Sequence, residues 1–363
     1  MKKILSLLLA TSMFVAACLS LASCGDTQSN TDDTVETTDS NGGDTSTSSN
    51  FVIPDDVLEG HTPTDIGYFK YKTSEDGTAK IISVYTDIPA DVVVPAYIEK
   101  DGVTYTVTEI YLSAFAQSSV KTVYIPYTVT KLGEYAFSGC NNLESVSIPT
   151  TITSLPKGLF AASGLVTVDF IPASVTSIGE RIFDGCSKLV TVVVPETVTS
   201  IGDYTFVNCA AIENVTLPST MTAIPKYAFS GCPWLKSIVL PDSVKTIGAS
   251  AFKACTRLTS VTLSATLETI GANAFNGCKN LTTIVIPDSV KSIKAGAFDS
   301  CAKLKTIKVS NNAELVIEEG AFADLSVNKK LKEVYVTVGS AAETWFKANG
   351  WADYVLDATT YEG

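Results

Sequence analysis

The chain has 363 residues and a formal net charge of −12, with 38 acidic residues against 26 basic ones. This length allows one large domain or two ordinary ones with a sizeable core. The acidic balance argues against nucleic-acid binding, because a phosphate backbone needs clustered lysine and arginine. A single histidine, His61, argues against a metal site or an acid–base site built on imidazole.

Residues 1–23 have the pattern of a bacterial secretory signal, with Lys2 and Lys3 before an apolar run. The run ends in Leu21-Ala22-Ser23-Cys24, which resembles the lipobox of bacterial lipoproteins. The resemblance implies cleavage before Cys24 and lipidation of that cysteine. Val15-Ala16-Ala17-Cys18 is a second match, and an ordinary secretory signal with incidental cysteines is the other alternative. We therefore expect an exported protein, lipid-anchored at the bacterial cell surface, that touches a membrane only through its anchor.

Residues 24–50 form a low-complexity segment of Ser, Thr, Asp, Asn and Gly that contains six acidic residues and no basic one. Such a segment buries too little apolar surface to fold and is extended by self-repulsion. The sequence predicts a disordered acidic tether with a root-mean-square reach of about 25–30 Å.

A phenylalanine then recurs every 22 to 24 residues, in ten consecutive units. The positions are Phe115, Phe137, Phe160, Phe183, Phe206, Phe229, Phe252, Phe275, Phe298 and Phe322. A proline keeps the same spacing at seven places, and Ser264 and Ser310 stand where it is missing. Repetition at this period is typical of a solenoid.

One unit, Leu235 to Cys255, illustrates the predicted coil. Residues Leu235–Leu240 form a short strand that ends at Pro241, where no further ladder donor is needed. Gly248 permits a tight corner, and Ala251–Cys255 form a short 3₁₀ or helical turn. A single unit cannot bury its own apolar face, but stacked units cover one another. Ten coils with strands about 4.8 Å apart make a rod roughly 50 Å long.

The unit, with its recurring Ile-Pro, Ser-Val-Thr-Ser-Ile-Gly and Ala-Phe-x-Gly-Cys, resembles the BspA-type leucine-rich repeats of bacterial surface proteins. The likeness runs from Asp91 to Thr337 and implies a leucine-rich-repeat solenoid over 91–337, with a parallel β-sheet on one face. It also implies an extracellular, anchored protein that adheres to host matrix proteins or to other cells. Departures from the motif are Ser163 for cysteine, and Pro156, Pro225 and Lys294 for the corner glycine.

Both ends carry capping patterns. In the predicted N-terminal cap, 51–90, apolar and polar residues alternate around Asp76-Gly77, which indicates a β-hairpin. In the predicted C-terminal cap, 338–363, a helix is expected from Ser340 to Asn349, stopped by Gly350. Its aromatic residues would close the last coil: Trp345, Phe346 and Trp351.

Seven cysteines sit three residues after the phenylalanines: Cys140, Cys186, Cys209, Cys232, Cys255, Cys278 and Cys301. They show no C-x-x-C spacing for a metal and no repeating base for a nucleophile. Disulfides are the stronger alternative in an exported protein, although the count is odd and stacked coils hold the side chains parallel. We expect packed, buried thiols, and accordingly neither a metal site nor a cofactor.

The candidate ligand face is the outward side of the strands. It comprises Tyr124 and a polar stripe of Thr122, Ser145, Thr167, Thr191, Asn214, Ser237, Ser260, Thr283 and Thr306. Such residues also suit any exposed strand surface. The favoured function is a non-catalytic adhesion or interaction protein whose partner is an extracellular protein. The alternatives are a carbohydrate- or envelope-binding lipoprotein, suggested by tyrosines such as Tyr97 and Tyr127, and an enzyme using outward acids such as Glu144 and Glu213.

Overall fold

The computed structural model describes residues 67–309, 312–323 and 331–361. The signal over 1–23, the tether over 24–50, the first part of the N-terminal cap, and both candidate lipidation sites, Cys18 and Cys24, lie outside the described residues.

The described chain winds into a solenoid, a stack of about ten coils of roughly 23 residues. One side of the stack, here called the strand face, carries parallel strands that pair from coil to coil in four short ladders. Its strands are β3 (Asp91–Val93), β6 (Thr122–Tyr124), β8 (Ser145–Ser147), β10 (Thr167–Val168), β12 (Thr191–Val193), β14 (Asn214–Thr216), β16 (Ser237–Val239), β18 (Ser260–Thr262), β20 (Thr283–Ile286), β22 (Thr306–Val309), β24 (Glu333–Val336) and β25 (Val355–Asp357).

A second ladder, parallel except for its first strand and not anticipated by the sequence analysis, lines the return side of the coils. Most of its strands have only two residues, too short for an alternating pattern to reveal them. They are β1 (Phe69–Thr73), β2 (Thr78–Val84), β5 (Val103–Ile110), β7 (Lys131–Leu132), β9 (Ser154–Leu155), β11 (Ser177–Ile178), β13 (Ser200–Ile201), β15 (Ala223–Ile224), β17 (Thr246–Ile247), β19 (Thr269–Ile270), β21 (Ser292–Ile293) and β23 (Val316–Ile317). In β17, β19 and β21 the second residue, an isoleucine, is fully buried.

The third side of the coils, here called the turn side, contains the phenylalanines. The 3₁₀ or helical turn that the sequence predicted there is wrong. Backbone φ is positive two residues before and two residues after the phenylalanine, at Ser250 (56°) and Ala254 (59°) in the coil of Phe252. The N–H groups of Ser250, Phe252 and Ala254 therefore point along the stack, each donating to a carbonyl of the next coil at 2.8 Å. The intervening N–H groups close tight turns within the coil. The result is a chain of turns that also forms an inter-coil ladder.

The corner glycine has a different role from the expected one. Gly248 does not have a positive φ; instead, a Cβ there would lie 2.7 Å from the nitrogen of Lys226 in the preceding coil. Gly271 would place a Cβ equally close to the backbone of Gly248. Glycine at this position permits close approach between coils, not an unusual local conformation.

The core is a continuous column of the ten phenylalanines, all almost completely buried. Successive rings stack with centroids 4.9 to 5.8 Å apart and interplanar angles of 3° to 29°. Phe69 ends the column at the N-terminal side in an edge contact with Phe115, and Phe346 ends it at the other side against Phe322.

The N-terminal hairpin is confirmed. β1 and β2 pair antiparallel around Gly77 (φ 79°), and β2 pairs in parallel with β5, so that the hairpin extends the second ladder. A second hairpin was missed: β4 (Tyr97–Lys100) pairs antiparallel with β5 around Asp101-Gly102. Both turn residues have positive φ, and an Asp-Gly pair is a turn signal. This hairpin lengthens the first coil beyond the usual period.

The C-terminal cap is confirmed in place and outline. Helix α1 (Ala341–Phe346) has Ser340 as its N-cap, whose hydroxyl accepts from the N–H of Glu343 at 3.1 Å. A wider turn, Lys347–Trp351, follows, with Gly350 at φ 89°. Two short 3₁₀ turns, Ala352–Tyr354 and Ala358–Thr360, flank β25, which the sequence analysis missed and which continues the strand face.

Candidate interaction face

The predicted polar stripe is brought together as one row. Each of its nine residues begins a strand of the strand face, from Thr122 of β6 to Thr306 of β22. Pairing registers place Thr122 beside Ser145, Thr191 beside Asn214, and Thr283 beside Thr306. All nine are exposed or half-buried. The sequence thus identified which side chains share a row on this face.

An apolar row lies beside the stripe, at the last outward position of the strands. Val193, Val239 and Val285 are 40%, 68% and 41% exposed, and they alternate along the stack with threonines. In the first ladder, half-buried Tyr124 takes this position between Val93 and Ser147. The row gives the strand face an apolar character that the stripe alone lacks.

Phe170 departs from this row. The fourth coil, which contains β10, has one residue fewer before its strand and one more between Val168 and Pro172 than its neighbours have. The additional residue shortens β10 to two residues and turns the Phe170 ring partly inward, edge-on to Phe160 at 5.6 Å. The strand face is therefore irregular at this coil.

The outward acids suggested for an enzyme are paired with lysines of adjacent coils. Glu144 lies 3.8 Å from Lys121, and Glu213 lies 3.2 Å from Lys236. Three more pairs join adjacent coils: Lys157–Glu180, Glu268–Lys291 and Lys294–Glu318. These carboxylates are ordinary surface ion pairs, each worth at most about 1 kcal/mol.

The seven repeat cysteines are buried free thiols. Each Sγ donates to the phenylalanine carbonyl of the preceding coil at 3.0 to 3.3 Å, an interaction that the sequence analysis missed. Burial raises the pKa of Cys186 to about 11 and that of Cys255 to about 12. A thiol is nucleophilic only as a thiolate, so these cysteines stay protonated and unreactive at neutral pH.

The N-terminal tyrosines divide into two sets. Tyr97 of the first coil and Tyr127 of the second are exposed, and their hydroxyls lie 3.3 Å apart. Tyr105 is half-buried and packs against the core, and the ring of Tyr135 occupies the space that a Cβ of Gly158 would need. Tyr111 is also exposed, at 41%, beside 43% for Tyr97 and 67% for Tyr127, so these three tyrosines present ring surface to solvent.

Other classes of site are not seen in the described part of the chain. No group of three or more His, Cys, Asp or Glu side chains there is placed to hold a metal ion. Its helices are also too short or too polar to span a bilayer.

A family model for the BspA-type leucine-rich repeat region matches residues 108–236 and 222–346, which together cover more than half of the chain. The chain belongs to the BspA-type leucine-rich repeat family. The matched residues include strands of both ladders and all ten phenylalanines of the column. No curated protein sequence matches the chain.

Solved structures include similar bacterial leucine-rich repeat proteins. A leucine-rich repeat protein from Bacteroides ovatus is 29% identical, with a TM-score of 0.66 over 80% of this chain and 71% of that one. A leucine-rich cell surface protein from Faecalibacterium prausnitzii is 24% identical, with a TM-score of 0.38 over 76% of this chain and 94% of that one. The Treponema protein TpLRR (T. pallidum) is 25% identical, with a TM-score of 0.43 over 60% and 90%.

Proposed function

We propose that this protein is a non-catalytic interaction protein of the bacterial cell surface that binds an extracellular protein through its strand face. The observation that carries the proposal is the apolar row Val193, Val239 and Val285 beside a stripe of small polar residues. Exposed apolar groups aligned on a rigid surface are typical of protein interaction sites. Strands bonded from coil to coil hold the row in place, so little side-chain or backbone ordering is needed on binding.

A surface location is part of the same proposal. Its support is the signal-like segment 1–23 with Cys24, followed by an acidic segment in which Val35 is the one aliphatic residue. A lipid on Cys24 would anchor the chain, and the tether would hold the solenoid away from the bilayer, where a partner can reach it.

A non-catalytic role is supported by the chemistry of the described residues. The repeated thiols are protonated, and the outward acids Glu144 and Glu213 are ion-paired. These thiols and carboxylates were the candidates for catalytic groups in the described residues.

The test is a binding screen with matched variants. The purified protein is panned against immobilised extracellular matrix proteins, glycans and bacterial cell walls. Val239→Asp places a charge on the strand face, and Thr222→Asp places the same charge at an exposed site beside the second ladder. We expect Val239→Asp to weaken binding to a protein hit at least about tenfold, as a buried charge at an interface centre does, and Thr222→Asp to leave it unchanged. Equal effects of the two variants would assign the ligand to another surface.

A glycan ligand is the second candidate, favoured by the exposed Tyr97–Tyr127 pair. Aromatic faces stack on sugars, so Tyr127→Ala should abolish retention on a glycan hit and leave binding to a protein hit intact. Retention of the glycan by Tyr127→Ala would remove this candidate.

A further inference from the structure

Each coil passes from the turn side to the strand face through a tight corner. Before β18, β20 and β22, the N–H of a leucine donates to the carbonyl of the cysteine three residues earlier, at 2.9 to 3.0 Å. The two residues between them face outward and are exposed or half-buried: Thr256-Arg257, Lys279-Asn280 and Ala302-Lys303. The residue after the leucine lies one position before the polar stripe and forms a row of its own along the stack.

The charges in this row change character towards the C-terminal end. In the middle of the stack, Glu213 lies beside Lys236 at 3.2 Å, so opposite charges meet on adjacent coils. Before β22 and β24 the row holds Lys305 beside Lys332, and the N–H of Lys332 donates to the carbonyl of Lys305 at 2.9 Å. Like charges directly opposite one another on paired strands are destabilising. The C-terminal end of the row therefore keeps a repulsion that a bound anion would relieve.

Five exposed cations lie at this edge, here called the cationic corner: Arg257, Lys279, Lys303, Lys305 and Lys332. In the part of the chain that the structure describes, none of them forms an ion pair. Two carboxylates close to them in the chain have other partners, since Glu333 accepts from Thr306 at 3.3 Å and Asp299 accepts from Asn276 at 3.0 Å. The corner extends from the coil of β18 to that of β24, about 14 Å along the stack.

The first cation of the corner is held in place by an aromatic ring. The guanidinium of Arg257 lies 3.5 Å from the ring centroid of Trp234, which is 41% exposed. Stacking on a ring uses the face of a guanidinium and leaves the N–H groups at its edge for other partners. A carboxylate or a sulfate can accept two parallel hydrogen bonds from such an edge. Arg257 is therefore oriented for an anionic group without being neutralised.

We propose that the cationic corner binds an acidic polysaccharide through its sulfate or carboxylate groups. The corner offers point charges in a line, which suits a polymer that carries fixed charges along its length. A peptide cannot add here as a strand, because the backbone of the row is already paired, as in the bond from Lys305 N–H to the Thr282 carbonyl at 2.9 Å. The net charge of −12 disfavours a polyanion elsewhere on the protein. The corner lies at the opposite end of the stack from Tyr97 and Tyr127.

Binding of dextran sulfate to the full-length protein, measured by calorimetry at low salt, tests the proposal. Lys305→Gln with Lys332→Gln removes the two adjacent charges. Lys226→Gln with Lys245→Gln removes the same charge from exposed sites beside the second ladder. We expect the first double variant to bind at least about fivefold more weakly, and the second to bind as the parent does. Affinity should fall as salt is added, and uncharged dextran should not bind.

Thermal unfolding provides a second measurement. A ligand that binds only the folded chain raises its melting temperature, so dextran sulfate should raise that of the parent and of the Lys226–Lys245 variant more than that of the Lys305–Lys332 variant. Absence of binding, equal losses in the two double variants, or binding of uncharged dextran would overturn the proposal. Polyglutamate or phosphatidylserine vesicles that bind as tightly as dextran sulfate would also overturn it, by assigning the corner to an acidic peptide or to a membrane.

Discussion

At the scale of single residues, the left-handed positions of the turn side carry the clearest energetic consequence. Every complete coil has two such positions, and some hold residues other than glycine, such as Ala254 at φ 59°. A Cβ in this conformation costs about 1–2 kcal/mol because it crowds the following carbonyl. The inter-coil hydrogen bonds hold the backbone there nevertheless.

We therefore expect Ala254→Gly to raise the free energy of unfolding by about 1 kcal/mol. Gly277 occupies the same position one coil later, at φ 74°, and a Cβ there would meet nothing closer than 3.7 Å. Gly277→Ala should thus lower the free energy of unfolding by about the same amount, through backbone strain alone. Urea titration of both variants measures this, and shifts of the same sign would contradict it.

The buried thiols predict a loss of stability at alkaline pH. The pKa of Cys255 is about 12 in the folded chain and 9.0 as its ordinary value. Between these values the unfolded chain has lost a proton that the folded chain keeps, so stability is intact below about pH 9 and falls as pH rises towards 12. Each thiol adds a slope of about 1.4 kcal/mol per pH unit.

Lysines and tyrosines also titrate at alkaline pH. Cysteine-to-serine and serine-to-cysteine substitutions separate the contribution of the thiols to the pH dependence of stability from theirs. Ser118 and Ser163 already occupy the cysteine position in two coils, and the Ser163 hydroxyl lies 3.4 Å from the Cys186 thiol. Cys255→Ser should make the decline of unfolding free energy between pH 9 and 11 shallower by about one proton, and Ser163→Cys should make it steeper. Identical slopes for parent and both variants in denaturant titrations would contradict the assignment.

At the scale of the coil, the phenylalanine column determines how far the loss of structure caused by a core substitution extends along the stack. Phe252 stacks on Phe229 at 5.5 Å and on Phe275 at 5.2 Å. Phe252→Ala leaves a cavity between three coils and should cost about 3–5 kcal/mol. Because each coil contacts only its neighbours, new protease cuts should appear near the sixth to eighth coils while both caps stay protected. Limited proteolysis with mass spectrometry locates the cuts.

Tyr124→Ala is the matched control on the strand face. Tyr124 is half-buried and lies outside the column, so its loss should change the melting temperature little. Unfolding by Tyr124→Ala, together with a stable Phe252→Ala variant, would reverse the assignment of inside and outside.

The coil also shows which features the sequence could predict. The recurrence of residues such as Phe252, Pro241 and Cys255 was enough to predict the repeat period, the strand in each coil and the buried column of phenylalanines. It was enough because side-chain burial repeats with the sequence. The second ladder was missed because Thr246–Ile247 is too short to alternate. The role of Gly248 was mistaken because close approach to Lys226 is a contact between coils, invisible within one repeat. The thiol–carbonyl bonds were missed for the same reason.

At the scale of the whole molecule, the acidic charge and the open outer surface suit a protein held away from its own membrane. The net charge of −12 repels the anionic lipids of a bilayer, and the coil-to-coil ion pairs neutralise charge only locally. A charge of this sign gives no affinity for anionic headgroups, so the proposed surface location depends on the lipid proposed for Cys24.

That requirement leads to the prediction for Cys24. Cys24→Ala should abolish incorporation of a labelled fatty acid and move the protein from the membrane fraction to the soluble fraction. The reason is that Cys24 is the only thiol in the favoured lipobox, so its replacement removes the site of lipidation. Each buried methylene of an acyl chain contributes about 0.8 kcal/mol, and two or more acyl chains are needed for stable anchoring. Cys18→Ala is the control and should leave labelling intact. Persistent labelling of Cys24→Ala, lost only when Cys18 is also replaced, would show that Val15-Ala16-Ala17-Cys18 is the functional lipobox.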